Sequence, residues 1–489
     1  MNITNNYNLL KFYLLLITCC FSQDIYTDFL IESGDTVDVF SYQIPENYNS
    51  NIEHPLLVAF HQWGGNENTN YYTEFDEQAN SRNWIMLCPY GGSSNNYNHQ
   101  GMQDMVEQEI LWMMDHFNIN KNKIYMVGGS MGGATGAIYA NNHLDPTKPM
   151  VAATASGSGI LDCERRAIEM DGNNSMIEWF GGNWDEVPFE YHRNSAVYFA
   201  DSTQSMHYNL QHTPLYLDFG ITETHRTHAE DLYNLLLDYN ESMWIDTNPT
   251  GSHGYPVFDE NHVCEWFDQY SLSFLEEPQT PYSINVNLDE PSRAYWIQAT
   301  NQFIENQFIR INANWIQADG TRWEHIKINQ INNCDSLILH ILNQNIEDFS
   351  LELHTPLNLG FTGPILNNQS NINSINIMGL SDNCEINYTL ENDIIWLNST
   401  ISESENLCYN GYSLNEGEYT ISFVINSSET YNDINQDGLW NVIDIIMVIN
   451  HVIGTDPLNN NQQELADLNE DGIINVLDIV EIMNIILRR

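Results

Sequence analysis

Three residue types capable of acyl-transfer chemistry stand far apart in this chain: a serine, a histidine and a carboxylate. Ser130 lies in Gly128-Gly129-Ser130-Met131-Gly132-Gly133, a G-x-S-x-G pattern directly after the apolar run Lys123 to Val127. Such a pattern lifts a hydroxyl onto a sharp turn between strand and helix, and small residues at Gly128 and Gly132 let the backbone pass closely enough to make it. Ala134, Gly136, Ala137 and Ala140 then begin a helix able to pack tightly.

A serine is a weak nucleophile at neutral pH, so a histidine must take its proton and a carboxylate must fix that histidine's tautomer. Ser130, Glu223 and His253 follow one another in the order nucleophile, acid, base. Glu223 comes shortly after the apolar segment Pro214 to Leu217, and His253 lies in Thr250-Gly-Ser-His-Gly-Tyr-Pro256. Asp218, at the end of that segment, competes for the acid role. The nearby His225 and His228 lack the H-E-x-x-H spacing of a zinc site, so no cofactor is expected for catalysis. Upstream, the run Leu57 to Phe60 opens into His61-Gln-Trp-Gly-Gly65. The backbone N–H groups of Met131 and Trp63 are the expected oxyanion donors, and one such donor is worth about 3 kcal/mol. The Trp63 side chain reads equally as an apolar plug over the sheet, and the two roles are compatible.

A second chemistry is repeated near the C-terminus. Asp433, Asn435, Asp437, Asn441 and Asp444 are matched 34 residues later by Asp467, Asn469, Asp471, Asn475 and Asp478. Oxygen donors at positions 1, 3, 5, 9 and 12 suit Ca2+, with Leu439 and Ile473 offering backbone carbonyls and a glycine at position 6 allowing the turn. Two structural calcium ions are the expectation.

Four segments must hold these groups. Residues 1–22 carry Lys11 and a short apolar run closing on Cys19-Cys20-Phe21-Ser22, which reads as a signal peptide for export. Lipidation of Cys19 would instead tie the chain to a cell surface. Residues 24–278 alternate short apolar strands with amphipathic helices, the pattern of a mostly parallel sheet flanked by helices. Residues 280–430, after Glu276-Glu-Pro-Gln-Thr-Pro281, become all-β and read as a sandwich-like module in which Trp296 and Trp315 serve the core or an exposed sugar-binding face. Residues 431–489 hold the paired loops, each opening an apolar helical stretch.

The 489 residues carry 15 Lys and Arg against 66 Asp and Glu, a formal charge of −51. That balance opposes nucleic acid and anionic membranes as partners, and it suits a saline medium or cation binding. No segment after the leader reaches the roughly 18 apolar residues of a spanning helix, so an integral membrane protein is not expected. Six cysteines remain beyond the leader, and pairings such as Cys163 with Cys264 and Cys384 with Cys408 are among the fifteen connectivities open to them; buried thiols are the other reading.

Residues 55–276 resemble secreted α/β-hydrolase esterases of the polyhydroxybutyrate depolymerase and feruloyl or acetylxylan esterase group, with some similarity to prolyl-oligopeptidase-type catalytic domains. The likeness rests on Pro55 to Gly65, Lys123 to Gly133, Phe180 to Pro188 and Gly251 to Pro256. It implies hydrolysis of carboxylic esters on a polysaccharide or a polyester by a Ser-His-acid triad. Gln62 stands where this group usually has glycine, and Glu223 where it usually has aspartate. The segment with Trp179, Trp184, Phe189 and Tyr191 is either a cap over the site or a packed insertion. The C-terminal repeat resembles a type I dockerin, which implies two calcium ions and a cohesin-like partner, although Val442-Ile443 and Val476-Leu477 replace the hydroxyl residues many dockerins present there. A serine peptidase and a non-catalytic adhesion or scaffold component are the alternative readings of the whole chain.

Overall fold

The computed structural model describes residues 24–272 apart from 172–173, 224–225 and 248, then 281–317 and 323–340. Beyond these it describes strands up to residue 420, and residues 434, 442–455, 457–467 and 472–486. The chain divides into two compact units, Met1–Glu276 and Glu277–Arg489.

In the first unit, strands β1 (Ile25–Glu32), β2 (Asp35–Gln43), β3 (His54–Phe60), β4 (Ile85–Pro89), β5 (Ile119–Gly129), β6 (Ala153–Gly157), β7 (Leu215–Asp218) and β8 (Met243–Ile245) form one sheet in the order β1-β2-β4-β3-β5-β6-β7-β8. The β1–β2 and β2–β4 pairs are antiparallel, and every pair from β4–β3 to β7–β8 is parallel. Parallel strands need crossovers. These include α1 (Phe75–Ser81), α2 (Gln100–His116), α3 (Met131–Asn142), α4 (Cys163–Glu169), α5 (Met176–Phe180), α6 (Pro188–Arg193) and α7 (Arg226–Leu236), with α8 (Glu260–Phe267) closing the unit.

A strand covered on both faces reads as a continuous apolar run rather than an alternating one. Along β3, Leu56, Val58 and Phe60 enter one buried cluster while Leu57 and Ala59 enter another. Along β5, Ile124 and Met126 join the first cluster, and Tyr125 and Val127 the second. The first also takes Met102, Val106, Ile110 and Met113, the apolar stripe of α2.

The proposed bridge between Cys163 and Cys264 does not form. Cys88, Cys163, Cys264 and Cys334 are free and buried. Cys163 packs beside Met131 and Tyr191 while Cys264 belongs to the cluster around Tyr125 and Phe267, so each thiol fills a separate apolar space. Cys384 and Cys408 lie outside the described residues.

In the second unit the strands are β9 (Ser283–Leu288), β10 (Arg293–Ala294), β11 (Ile297–Ala299), β12 (Ile309–Gln317), β13 (Trp323–Asn332), β14 (Ser336–His340), β15 (Asp348–Leu353), β16 (Asn358–Thr362), β17 (Ser374–Met378), β18 (Ile386–Glu391), β19 (Ile394–Ser399), β20 (Ser413–Leu414) and β21 (Tyr419–Thr420). They form two sheets, β10-β11-β14-β16-β19-β18 and β20-β21-β17-β15-β13-β12-β9. Trp296, between β10 and β11, meets Trp315 of β12 edge to face at 5.2 Å. The two indoles are buried at 0% and 2% exposure, which makes them core joining the sheets rather than an exposed sugar-binding face.

Among the described residues, three helices follow: α9 (Val442–Val452), α10 (Asn460–Ala466) and α11 (Val476–Ile486). α9 and α11 pack together, and Ile434, Ile445, Val448, Leu458, Ala466 and Ile482 form a small core.

Candidate active site

The strand β5 ends at Gly129 and α3 starts at Met131, so Ser130 occupies the whole turn between them. Its backbone, at φ 56° and ψ −119°, is costly for a residue with a β-carbon. Close backbone approach holds it there. A β-carbon at Gly128 would overlap the carbonyl of Gly132, and one at Gly132 would lie 2.5 Å from the His61 carbonyl oxygen and 2.6 Å from that of Phe60. The Ser130 N–H donates to the Gly157 carbonyl at 2.7 Å, which ties the turn to the end of β6.

His253 comes from the loop that follows β8. Its Nε2 lies 2.8 Å from the Ser130 Oγ, and its Nδ1 lies 2.5 Å from Oε2 of Glu223. The other carboxylate oxygen of Glu223 accepts the Gly220 N–H at 2.6 Å. Burial alone would push the Glu223 carboxyl up. Hydrogen bonds from His253, Ser158 and the Gly220 backbone, with the charge of the imidazole, outweigh it and hold the group below the ordinary glutamate range. A carboxylate at Nδ1 selects the tautomer whose Nε2 lone pair faces the serine hydroxyl.

Asp218, the competing acid, is used differently. Its Oδ1 accepts the N–H of Phe219 at 2.7 Å, and burial, helped by the charges of Asp246 and Glu223, pushes its carboxyl up to about 7. His225 lies outside the described residues. His228 is buried, with Nδ1 accepting the Asp162 N–H at 3.3 Å and Nε2 3.7 Å from Glu169.

Ser158 escaped the sequence analysis. It directly follows β6 with φ 54°, and its hydroxyl accepts the Gly254 N–H at 2.9 Å while bonding to Glu223. One side chain thus touches both the acid and the histidine loop. Its sequence signal is faint: a serine in Gly157-Ser158-Gly159 after a short apolar strand.

Met131 is the first residue of α3, where an N–H has no acceptor within its own helix. Trp63 sits in the loop after β3, with the adjoining Gly64 N–H bonded to the Ser94 carbonyl at 2.7 Å. The plug reading of its side chain is overturned: the indole is 59% exposed, because its Nε1 reaches outward to Ser175 Oγ at 3.2 Å. Gln62 turns its carboxamide onto Gly254, beside His253. The segment of Trp179, Trp184 and Tyr191 packs with Phe180 and Met176 around the buried Met131 side chain, so it braces the residue after the nucleophile.

In the terminal repeat, Asp433, Asn435, Asp437, Leu439, Asn441, Asn469 and Asp471 lie outside the described residues. The others fit a hard cation. Asp444 and Asp478, both at position 12, are fully buried. Asp444 Oδ1 accepts the Ile434 N–H at 3.0 Å, and Asp478 Oδ2 accepts the Asn475 N–H at 2.8 Å. Asp467 Oδ2 accepts the Gly472 N–H at 2.8 Å, with Gly472 at φ +81°. Carboxylates set beside a turn that needs glycine suit a calcium loop in chemistry. Asn475 and the Ile473 carbonyl lie on the same turn, joined through Asn475 Nδ2 at 2.9 Å.

The parallel sheet, the strained serine between β5 and α3, and the acid and histidine loops beyond β7 and β8 define a fold of the α/β-hydrolase type. Comparison with known proteins adds to this at the two ends of the chain. Residues 431–487 match the type I dockerin domain family. The chain is 30% identical over 138 residues to the bifunctional acetylxylan esterase/xylanase XynS20E of Neocallimastix patriciarum, a match spanning 27% of this chain and 19% of that protein. Similar solved structures include the fluorophosphonate-binding serine hydrolase FphF of Staphylococcus aureus, at 15% identity and TM-score 0.38 over 50% of this chain and 98% of that one. A ferulic acid esterase matches at 14% identity and TM-score 0.37, over 50% of this chain and 95% of its own. The sheet order and the turn at Ser130, rather than these two likenesses, carry the fold assignment. Among the described residues no helix is long and apolar enough to cross a membrane.

Proposed function

We propose that the chain is an extracellular serine esterase that hydrolyses carboxylic esters, acetyl or feruloyl groups on a polysaccharide or the bonds of a polyester. The continuous chain of hydrogen bonds from Ser130 through His253 to Glu223 carries this reading. In it, His253 Nε2 removes the hydroxyl proton as Ser130 Oγ attacks the ester carbonyl. Glu223 orients the imidazole and stabilises its charged form. The N–H groups of Met131 and Trp63 receive the developing oxyanion. His253 then returns the proton to the leaving alcohol, and water repeats the cycle on the acyl-enzyme.

The dockerin-type module would bind two structural calcium ions through the loops from Asp433 and Asp467 and attach the enzyme to a cohesin-like module, whether on a scaffold or at a cell surface. Binding energy at these loops becomes folding energy of the helices they hold. A panel of acetyl, feruloyl and polyester substrates beside peptides tests the enzymatic reading. Ester turnover with no peptide turnover supports it; preferential peptide cleavage would replace it with a serine peptidase.

A further inference from the structure

Every other tryptophan whose burial is described is wholly or partly enclosed, whereas the Trp63 side chain stands 59% exposed. Its position is fixed from both ends. The loop backbone is pinned by the Gly64 N–H to the Ser94 carbonyl at 2.7 Å and by the Gly65 N–H to the Gln62 carbonyl at 2.9 Å. The indole N–H is spent on Ser175 Oγ at 3.2 Å, a residue 112 positions away. An apolar ring bound at its polar edge has its faces left for contact and little rotamer freedom to lose on binding. The loop that carries the ring also borders the reaction centre. His61, two residues earlier, lies against Gly132 of the serine turn, and Gln62, one residue earlier, lies against Gly254 beside His253.

We infer that the Trp63 indole is a stacking platform for a neutral pyranose ring of the polymer whose ester is cleaved. This rests on the esterase reading. A ring open to solvent suits the part of the substrate that remains outside the enzyme, the sugar chain, while an acyl group must sit at the reacting carbonyl. The formal charge of −51 disfavours polyuronates and selects uncharged chains.

The test is calorimetric titration of full-length Ser130→Ala protein, which cannot complete the proposed reaction, with xylohexaose as the neutral probe. Saturable binding is expected, weakened tenfold or more in Ser130→Ala/Trp63→Ala and largely recovered with phenylalanine at 63. Equal binding by the alanine double variant, no binding by Ser130→Ala, or tighter binding of an oligogalacturonate would each overturn the proposal. Hydrolysis of p-nitrophenyl acetate by the wild type, measured separately, shows whether the esterase reading itself stands. Its loss would leave the sugar titration still readable.

Discussion

The side-chain oxygen of Gln62 lies so close to Gly254 that any β-carbon at position 254 would overlap it. Gly254 also sits at φ 69° and ψ −142°, a conformation open to glycine almost alone. The loop after β3 and the histidine loop are therefore fitted to each other at one point. Gly254→Ala should lower kcat/KM on a small ester about a hundredfold by displacing His253, and adding Gln62→Ala should recover only part of the loss, since backbone strain remains. Full recovery would mean that the overlap alone matters; an unimpaired single variant would show that the two loops are not coupled.

Removing the base should be nearly as damaging as removing the nucleophile, because triad members act as a unit. His253→Ala is expected to lower kcat by about 10⁴ or more, and Glu223→Gln by roughly 10³, since glutamine can still hold the imidazole but not its charge. Asp218→Asn should leave turnover within a few-fold of wild type. Steady-state kinetics on one soluble ester decide it: if Asp218→Asn is the more harmful change, the acid has been misassigned.

The same aspartate should shape the pH dependence of stability. Burial pushes Asp218 up to about 7, so between about pH 4 and 7 the folded chain keeps a proton that the unfolded chain, with an ordinary aspartate, has released. Stability from this group is lost as pH rises through that window and is unaffected below it. Asp218→Asn should therefore melt higher than wild type at pH 8 and equally at pH 4. A lower melting temperature at pH 8 would contradict the sign.

Calcium should matter to one end of the chain only. Without the ion, Asp444, Asp467 and Asp478 should repel their loop partners, and α9 and α11 should lose the turns that hold them. Chelation of the full chain should abolish a separate calorimetric transition and lower helicity while leaving turnover of a small ester unchanged. Calcium should restore the transition at concentrations where magnesium does not. Helicity indifferent to calcium would refute the metal assignment for these loops.

What the amino-acid sequence discloses follows the physics of each feature. The turn at Ser130 is legible because its glycines are required within a few residues, and the paired loops because their spacing repeats. Chain order alone left Glu223 and Asp218 as rivals, since Asp218 ends β7 and Glu223 follows it. Tertiary contacts separate them: the Gly220 N–H and the Ser158 hydroxyl bond the longer side chain, and Asp218 is spent on its own strand end. Ser158 belongs to no motif, because its work depends on two loops meeting. An even number of cysteines suggested bridges, but Cys163 and Cys264 lie in separate apolar clusters, which pairing rules cannot foresee. The direction of the Trp63 indole was equally hidden, being set by Ser175 more than a hundred residues away. Helix α10, capped by Asn459 with Gln462 reaching back, lay unread between the two repeats.

In the proposed esterase reaction Ser130 is the nucleophile. The direct measurement is kcat/KM for acetyl and feruloyl esters with wild-type protein and Ser130→Ala side by side, both verified as folded by circular dichroism. Saturable turnover by the wild type and a fall of about 10⁴ or more in the variant are expected. Turnover by Ser130→Ala within tenfold of the wild-type rate would contradict this role for Ser130.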